Sequence, residues 1–311
     1  MVIIAVFPGQ GSQTPGFLSP WLELEGARAQ LEAYSEAAGV DLIAAGTEWD
    51  ADRIRDTQVA QPLIVAAGIL SWGALSEGSQ VKPQGFAGHS VGEIASLIAA
   101  GVLTPNDGMR LVGIRGRAMA EAAAAEKTGM SAVIGGDQDA VVARLTELDL
   151  TPANYNGGGQ LVAAGALDAL AALAENPPAG TRVIPLQVAG AFHTRYMAPA
   201  VETLREAAAD VAASDPTATV WTNRDGSVVS SGKDALDLLV AQVASPVRWD
   251  ACMEAFAAAG ASGIIEFAPA GTLVGLAKRA LRGVPTVAVK TPDDLSAAAE
   301  LLGAAENGAQ A

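Results

Sequence analysis

Apolar residues in this chain come in two textures. The short continuous run from Val2 to Phe7 lacks the in–out alternation of a half-exposed strand and reads as a strand buried on both faces, as in a parallel sheet. Further strands are read at 263–267 and 286–289. Longer stretches with helical spacing lie between them. Residues 21–39 read as an amphipathic helix. Thr57 to Pro62 opens a second helix, which continues over 63–75 with almost no polar residue and is therefore expected to be buried. A third, over 93–100, stops at Gly101. A fourth starts with Thr104 as N-cap and Pro105 in the first position, and carries Leu111, Ile114, Arg115, Ala118 and Met119. Such alternation predicts an α/β fold with a mostly parallel sheet.

From about Lys127 the order changes. A strand at 130–134, a helix at 138–148, a strand pair at 150–156 and 160–164 joined by Gly157-Gly158-Gly159, a helix at 167–174 and a strand at 182–188 give βαββαβ, the ferredoxin-like unit. We expect an inserted small subdomain over 127–188 with an antiparallel sheet, and a large domain over 1–126 and 189–311. The rest reads as a helix at 196–212, a strand at 219–222, helices at 236–243 and 250–259, the two strands near 265 and 287, and a helix from Ala297 fading into a polar tail.

Composition narrows the classes. The chain has 311 residues, half of them hydrophobic, so a large core is affordable. A net charge of −15 argues against nucleic acid or an anionic membrane surface as partner. The single cysteine, Cys252, cannot form an internal disulfide, and a reducing, cytoplasmic setting is expected. The opening apolar run lacks a basic leader and ends at Pro8-Gly9, so it reads as a first strand rather than a signal peptide. No uninterrupted apolar run reaches the ~20 residues of a membrane span.

The chemistry centres on Gly88-His89-Ser90-Val91-Gly92. This is G-x-S-x-G, a sharp strand-to-helix turn with a serine at its tip and glycines where a Cβ would clash. Free N–H groups at the following helix start would favour a developing negative charge. The chain has two histidines. His89 adjoins the serine, and its side chain is expected to point away from the tip, which leaves His193 as the base that could activate Ser90. No acid stands out between Ser90 and His193 to orient that base. Pro8-Gly9-Gln10-Gly11-Ser12-Gln13 follows the first strand, but it lacks the lysine of a P-loop and the third glycine of a dinucleotide fingerprint. It remains a tight turn where open α/β sheets bind ligands. Arg115 lies in the apolar middle of its helix, one turn from Leu111 and Met119, where its charge must find a partner.

Phe7-Pro8-Gly9-Gln10-Gly11-Ser12-Gln13, Gly88-His89-Ser90-Val91-Gly92-Glu93, Arg115, Phe192-His193 and Gln242 before Ser245-Pro246-Val247 together resemble the malonyl-CoA:acyl carrier protein transacylases. These belong to the acyltransferase family of fatty acid and polyketide synthesis. The resemblance runs from Val2 to about Val289. It implies an α/β-hydrolase-like large domain with the ferredoxin-like subdomain, and transfer of malonyl from malonyl-CoA to an acyl carrier protein. It also implies Ser90 as nucleophile, His193 as base, and the N–H groups of Gln10 and Val91 as oxyanion hole. Arg115 would hold the malonyl carboxylate, with Phe192, Gln242, Asn156 and Met119 near the substrate. Carbonyl or amide groups would replace the missing acid. No metal or other cofactor is implied, and a monomer is expected. Basic residues Lys278, Arg279, Arg282 and Arg195 are candidates for docking the acidic carrier protein. A serine thioesterase or esterase, and an acyltransferase for another acyl-CoA, share the same serine and histidine and stay open.

Overall fold

The computed structural model describes residues 1–77 and 81–309, so the last two residues of the polar tail lie outside the described residues. Its strands are β1 (Val2–Phe7), β2 (Gly85–Gly88), β3 (Thr128–Gly135), β4 (Thr151–Gly157), β5 (Gln160–Ala166), β6 (Thr181–Pro185), β7 (Thr219–Trp221), β8 (Val228–Val229), β9 (Val247–Arg248), β10 (Ala261–Glu266) and β11 (Thr286–Ala288).

They form two sheets. The larger has the order β11-β10-β1-β2-β7-β8, parallel throughout except for the edge pair β7–β8. The apolar run of β1 sits at its middle and is buried from Ile3 to Phe7, as its lack of alternation requires. The smaller sheet has the order β6-β3-β5-β4-β9, antiparallel except where β9 joins β4. Its first four strands, with helices Gln138–Glu147 and Leu167–Glu175, make the expected βαββαβ unit. β9 was not foreseen. Val247–Arg248 follows the helix Gly232–Gln242 and becomes a strand only by pairing with Asn154 and Tyr155 of β4, a contact that local sequence does not announce.

Several boundaries move. The helix expected over 21–39 is a 3₁₀ turn, Ser19–Glu23, and a helix, Ala27–Ala38, broken at Gly26 with φ 78°. The one expected over 196–212 is a 3₁₀ turn, Arg195–Met197, followed by Ala198–Ala208. Short helices Leu42–Thr47 and Ala51–Arg55 were missed, being too brief to show a period. The apolar helix runs over Thr57–Glu77, longer than its apolar run suggested. It is long and apolar enough to cross a bilayer by composition alone, but most of that stretch is buried inside the fold.

The topology places the site. β1 and β2 pair in parallel with Phe7 opposite Gly88, and His89 N–H donates to Phe7 O at 2.9 Å. The loops leaving both strands therefore emerge side by side, at the carboxyl edge where open parallel sheets bind ligands.

Candidate active site

The serine turn is sterically obligatory. A Cβ at position 88 would overlap the Gly92 carbonyl, and one at 92 would overlap the carbonyl oxygens of Phe7 and Pro8. Ser90 itself takes φ 53°, a left-handed conformation that non-glycine residues adopt at a cost of roughly 1–3 kcal/mol. Asn223, just past β7, holds it there. The Ser90 N–H donates to Asn223 Oδ1 at 2.7 Å, and Asn223 Nδ2 donates to Gly88 O at 2.7 Å.

Ser90 and His193 meet across the fold. Ser90 Oγ and His193 Nε2 are 2.7 Å apart, and His193 Nδ1 lies 2.9 Å from the main-chain oxygen of Gln242. A carbonyl only accepts, so Nδ1 carries the proton and Nε2 is left to accept from the Ser90 hydroxyl. Burial, then the charge of Arg115, push the His193 pKa down to about 3, against the opposing hydrogen bond to Gln242. The ring is therefore neutral near pH 7. His193 also has a left-handed backbone, φ 61°.

Arg115 is buried, on the helix Pro105–Ala125. Its Nη1 donates to Gln61 Oε1 at 2.6 Å and its Nη2 to Gln242 Oε1 at 2.9 Å, with Ser90 Oγ 3.5 Å from the same Nη2. Its Nε has no hydrogen-bond partner among the described residues. Burial lowers its pKa to about 10 against the pull of Glu93, so it stays charged.

These groups open onto a cavity of about 210 Å³ whose wall includes Gln10, Ser90, Val91, Arg115, Met119, Asn156, Phe192 and His193. Every sequence-predicted site residue except Gln242 lines it. Gln242 lies buried behind the wall, in contact with Arg115, His193 and Ser90. The N–H groups of Gln10 and Val91 donate to no protein acceptor among the described residues, and Val91 heads the helix Gly92–Ala99. His89 lines the cavity too, and its Nε2 bonds Asn156 Oδ1 of β4 at 2.9 Å.

Residues 4–304 match the family described as the acyl transferase domain. The chain belongs to this family. A relative from Mycobacterium tuberculosis (strain ATCC 25618 / H37Rv), a malonyl CoA-acyl carrier protein transacylase, is 53% identical over 96% of this chain and 100% of its own. The enzyme of the same name from Escherichia coli (strain K12) is 34% identical over 95% and 98%. Among solved structures, MCAT from Mycobacterium tuberculosis superposes with TM-score 0.93 at 52% identity, covering 96% of this chain and 100% of that one. A malonyl-transacylase in complex with its holo type II polyketide acyl carrier protein gives 0.91 at 30% identity, with 96% and 99% covered.

In this acyl transferase domain three polar residues escaped sequence reading. Gln61 accepts from Arg115, and its only signal was a polar position opening an apolar helix. Asn223 directly follows the strand expected at 219–222, and the carboxyl edge of a parallel sheet is where ligand sites form. Glu93 is a lone acid in an otherwise apolar helix. It is buried and accepts from Asn223 N–H at 3.1 Å and from Gln242 Nε2. Burial raises its pKa to about 7, against its hydrogen bonds from Asn223, Thr222 and Gln242 and the charge of Arg115.

Proposed function

We propose that this chain transfers a malonyl group from malonyl-CoA to the phosphopantetheine thiol of an acyl carrier protein, through a malonyl ester on Ser90. The observation that carries the reading is a buried guanidinium, with one donor unpartnered, reaching 3.5 Å from the oxygen of a histidine-paired serine. A guanidinium grips a carboxylate with parallel hydrogen bonds, so the site favours an acyl group that ends in one. The curated relatives bear the name of this activity.

His193 Nε2 takes the hydroxyl proton as Ser90 Oγ attacks the thioester carbonyl. The oxyanion is met by the N–H groups of Gln10 and Val91, each lowering the barrier by roughly 3 kcal/mol. The C–S bond breaks, and the proton on His193 passes to the coenzyme A sulfur. The carrier thiol then gives its proton to His193, attacks the ester and regenerates Ser90. The Gln242 carbonyl orients the imidazole where a hydrolase would use an acid. Phe192, Met119 and Asn156 shape the acyl and pantetheine space. The large part, 1–126 with 189–311, carries the serine, histidine and arginine. The 127–188 part roofs the cleft. Beyond its two substrates the reaction requires no cofactor, and both substrates belong to the cytoplasm.

Intact-mass spectrometry tests this reading. Brief mixing with malonyl-CoA should add one malonyl mass, absent in Ser90→Ala, and holo acyl carrier protein should discharge it. Decay equally fast without carrier would make the protein a hydrolase, and no gain with the protein folded would overturn the reading.

A further inference from the structure

We propose that Glu93 is a positioning residue for acyl selection: through the Gln242 side chain it fixes how Arg115 faces the acyl group on Ser90. This rests on the transferase reading above. Glu93 does not itself line the cavity, and its carboxylate makes no hydrogen bond to Ser90 Oγ among the described residues. It lies one residue past the turn glycine, and its carboxylate is held by donors alone. Asn223 N–H binds one oxygen at 3.1 Å and Gln242 Nε2 binds the other.

The geometry runs in one line, Glu93 to Gln242 to Arg115. Gln242 Nε2 faces acceptors only: Glu93, Ser90 O at 3.1 Å and Asn223 Oδ1 at 3.2 Å. Its Oε1 faces the Arg115 Nη2 donor at 2.9 Å. The amide therefore has one satisfied orientation, with oxygen toward the arginine. Among the acceptors on its nitrogen only Glu93 is a carboxylate, and hydrogen bonds to charged groups are the strong ones. The same carboxylate is the negative charge that Arg115 feels from inside the protein. The Gln242 main chain meanwhile orients His193. The side-chain amide and the main-chain carbonyl of Gln242 thus hold the arginine and the base separately.

Glu93→Gln tests it. The new side chain offers one acceptor and one amide donor where the site supplies donors from both Asn223 and Gln242. Asn223 N–H and Gln242 Nε2 then compete for a single neutral acceptor, and the Gln242 amide loses the carboxylate that anchors it. Initial rates of Ser90 loading from malonyl-CoA and from acetyl-CoA are measured side by side on the full chain. Acetyl has no carboxylate to place against Arg115, so damage shared by both substrates cancels in the ratio. The expected result is a fall in the malonyl-to-acetyl ratio of about tenfold or more, mainly through KM for malonyl-CoA. An unchanged or increased ratio overturns the proposal. If the wild type takes up no malonyl, the transferase reading fails and takes this one with it. If the wild type prefers malonyl and Glu93→Gln keeps that preference, only this inference fails.

Should Glu93→Gln not fold, the wild type gives a second measurement. Of the titratable groups around Glu93, burial raises the Cys252 thiol and lowers His89, His193 sits at about 3 and Arg115 at about 10. Glu93, at about 7, is the one among them that titrates near neutrality. Coenzyme A phosphates titrate in both substrates and cancel. The ratio should therefore fall as pH drops through about 7 and Glu93 takes up its proton. A ratio flat across that range overturns the proposal.

Discussion

Arg115 Nη2 lies 3.5 Å from Ser90 Oγ while its neighbour Nη1 is held by Gln61 at 2.6 Å. Any acyl group on that oxygen must pass a buried cation. If Arg115 grips the malonyl carboxylate as proposed, Arg115→Ala takes away two charge-assisted bonds, and loading from malonyl-CoA should fall by roughly a hundredfold or more. Loading from acetyl-CoA should fall much less. Competing the two substrates and weighing the acyl-enzyme checks this. An unchanged malonyl preference would remove Arg115 from the substrate contacts.

His193 is predicted to act without the usual histidine pH dependence. With its pKa near 3 the ring stays neutral well below the ordinary 6.5. Modification of Ser90 by an uncharged sulfonyl fluoride should hold its rate from about pH 7.5 to about pH 5.5, and a midpoint near 6.5 would contradict the buried, arginine-facing ring. The same shift has a stability consequence. Between about 3 and 6.5 the unfolded chain binds a proton that the folded one refuses. The His193 contribution is therefore complete above 6.5 and is lost as pH falls.

The glycines of the turn should separate sharply from others. Gly92→Ala drives a methyl into two backbone oxygens of the loop after β1, which cannot move without parting the central strands. A loss of roughly 3 kcal/mol or more in urea unfolding is expected, together with loss of Ser90 loading. Gly73 lies on the helix Thr57–Glu77, and a Cβ there meets nothing. Gly73→Ala should stabilise by about 0.5–1 kcal/mol, because only the unfolded chain's freedom changes.

The parts legible in sequence were those set by local chemistry. The serine turn needs Gly88 and Gly92 whatever surrounds it, and β1 advertises its double burial by being apolar at every position. The antiparallel pairing of β3 to β6 followed from βαββαβ alone. What stayed hidden depends on distant chain. Val247–Arg248 is a strand only beside β4. Glu93 reads as an ordinary helix acid until Asn223 and Gln242, both more than a hundred residues away, are seen to bind it. Which group orients His193 was hidden for a plainer reason, although the resemblance implied a carbonyl or amide. It is a main-chain carbonyl, which every residue has.

The docking candidates also divide once the structure is seen. Arg195 is exposed but is neutralised by both carboxylate oxygens of Asp149, at 3.2 and 2.6 Å. Lys278 and Arg279 end the helix Thr272–Ala280, whose Leu273 and Leu276 line the cavity, and Arg282 lies in the turn beyond it. All three are exposed, and none forms an ion pair among the described residues. The Arg279 side chain lies beside the Gly158 turn of the small sheet, so this charge sits where that turn meets the helix Thr272–Ala280. On a chain of net charge −15, an acidic carrier protein is repelled at long range and needs such a local exception. Reversing Lys278, Arg279 and Arg282 together should raise KM for holo carrier protein by about tenfold and flatten its salt dependence. Arg195→Glu, at a charge that Asp149 already pairs, should do much less for each charge reversed. Equal effects per charge reversed, in the transfer half-reaction from preloaded malonyl-enzyme, would show that net charge rather than this cluster governs docking.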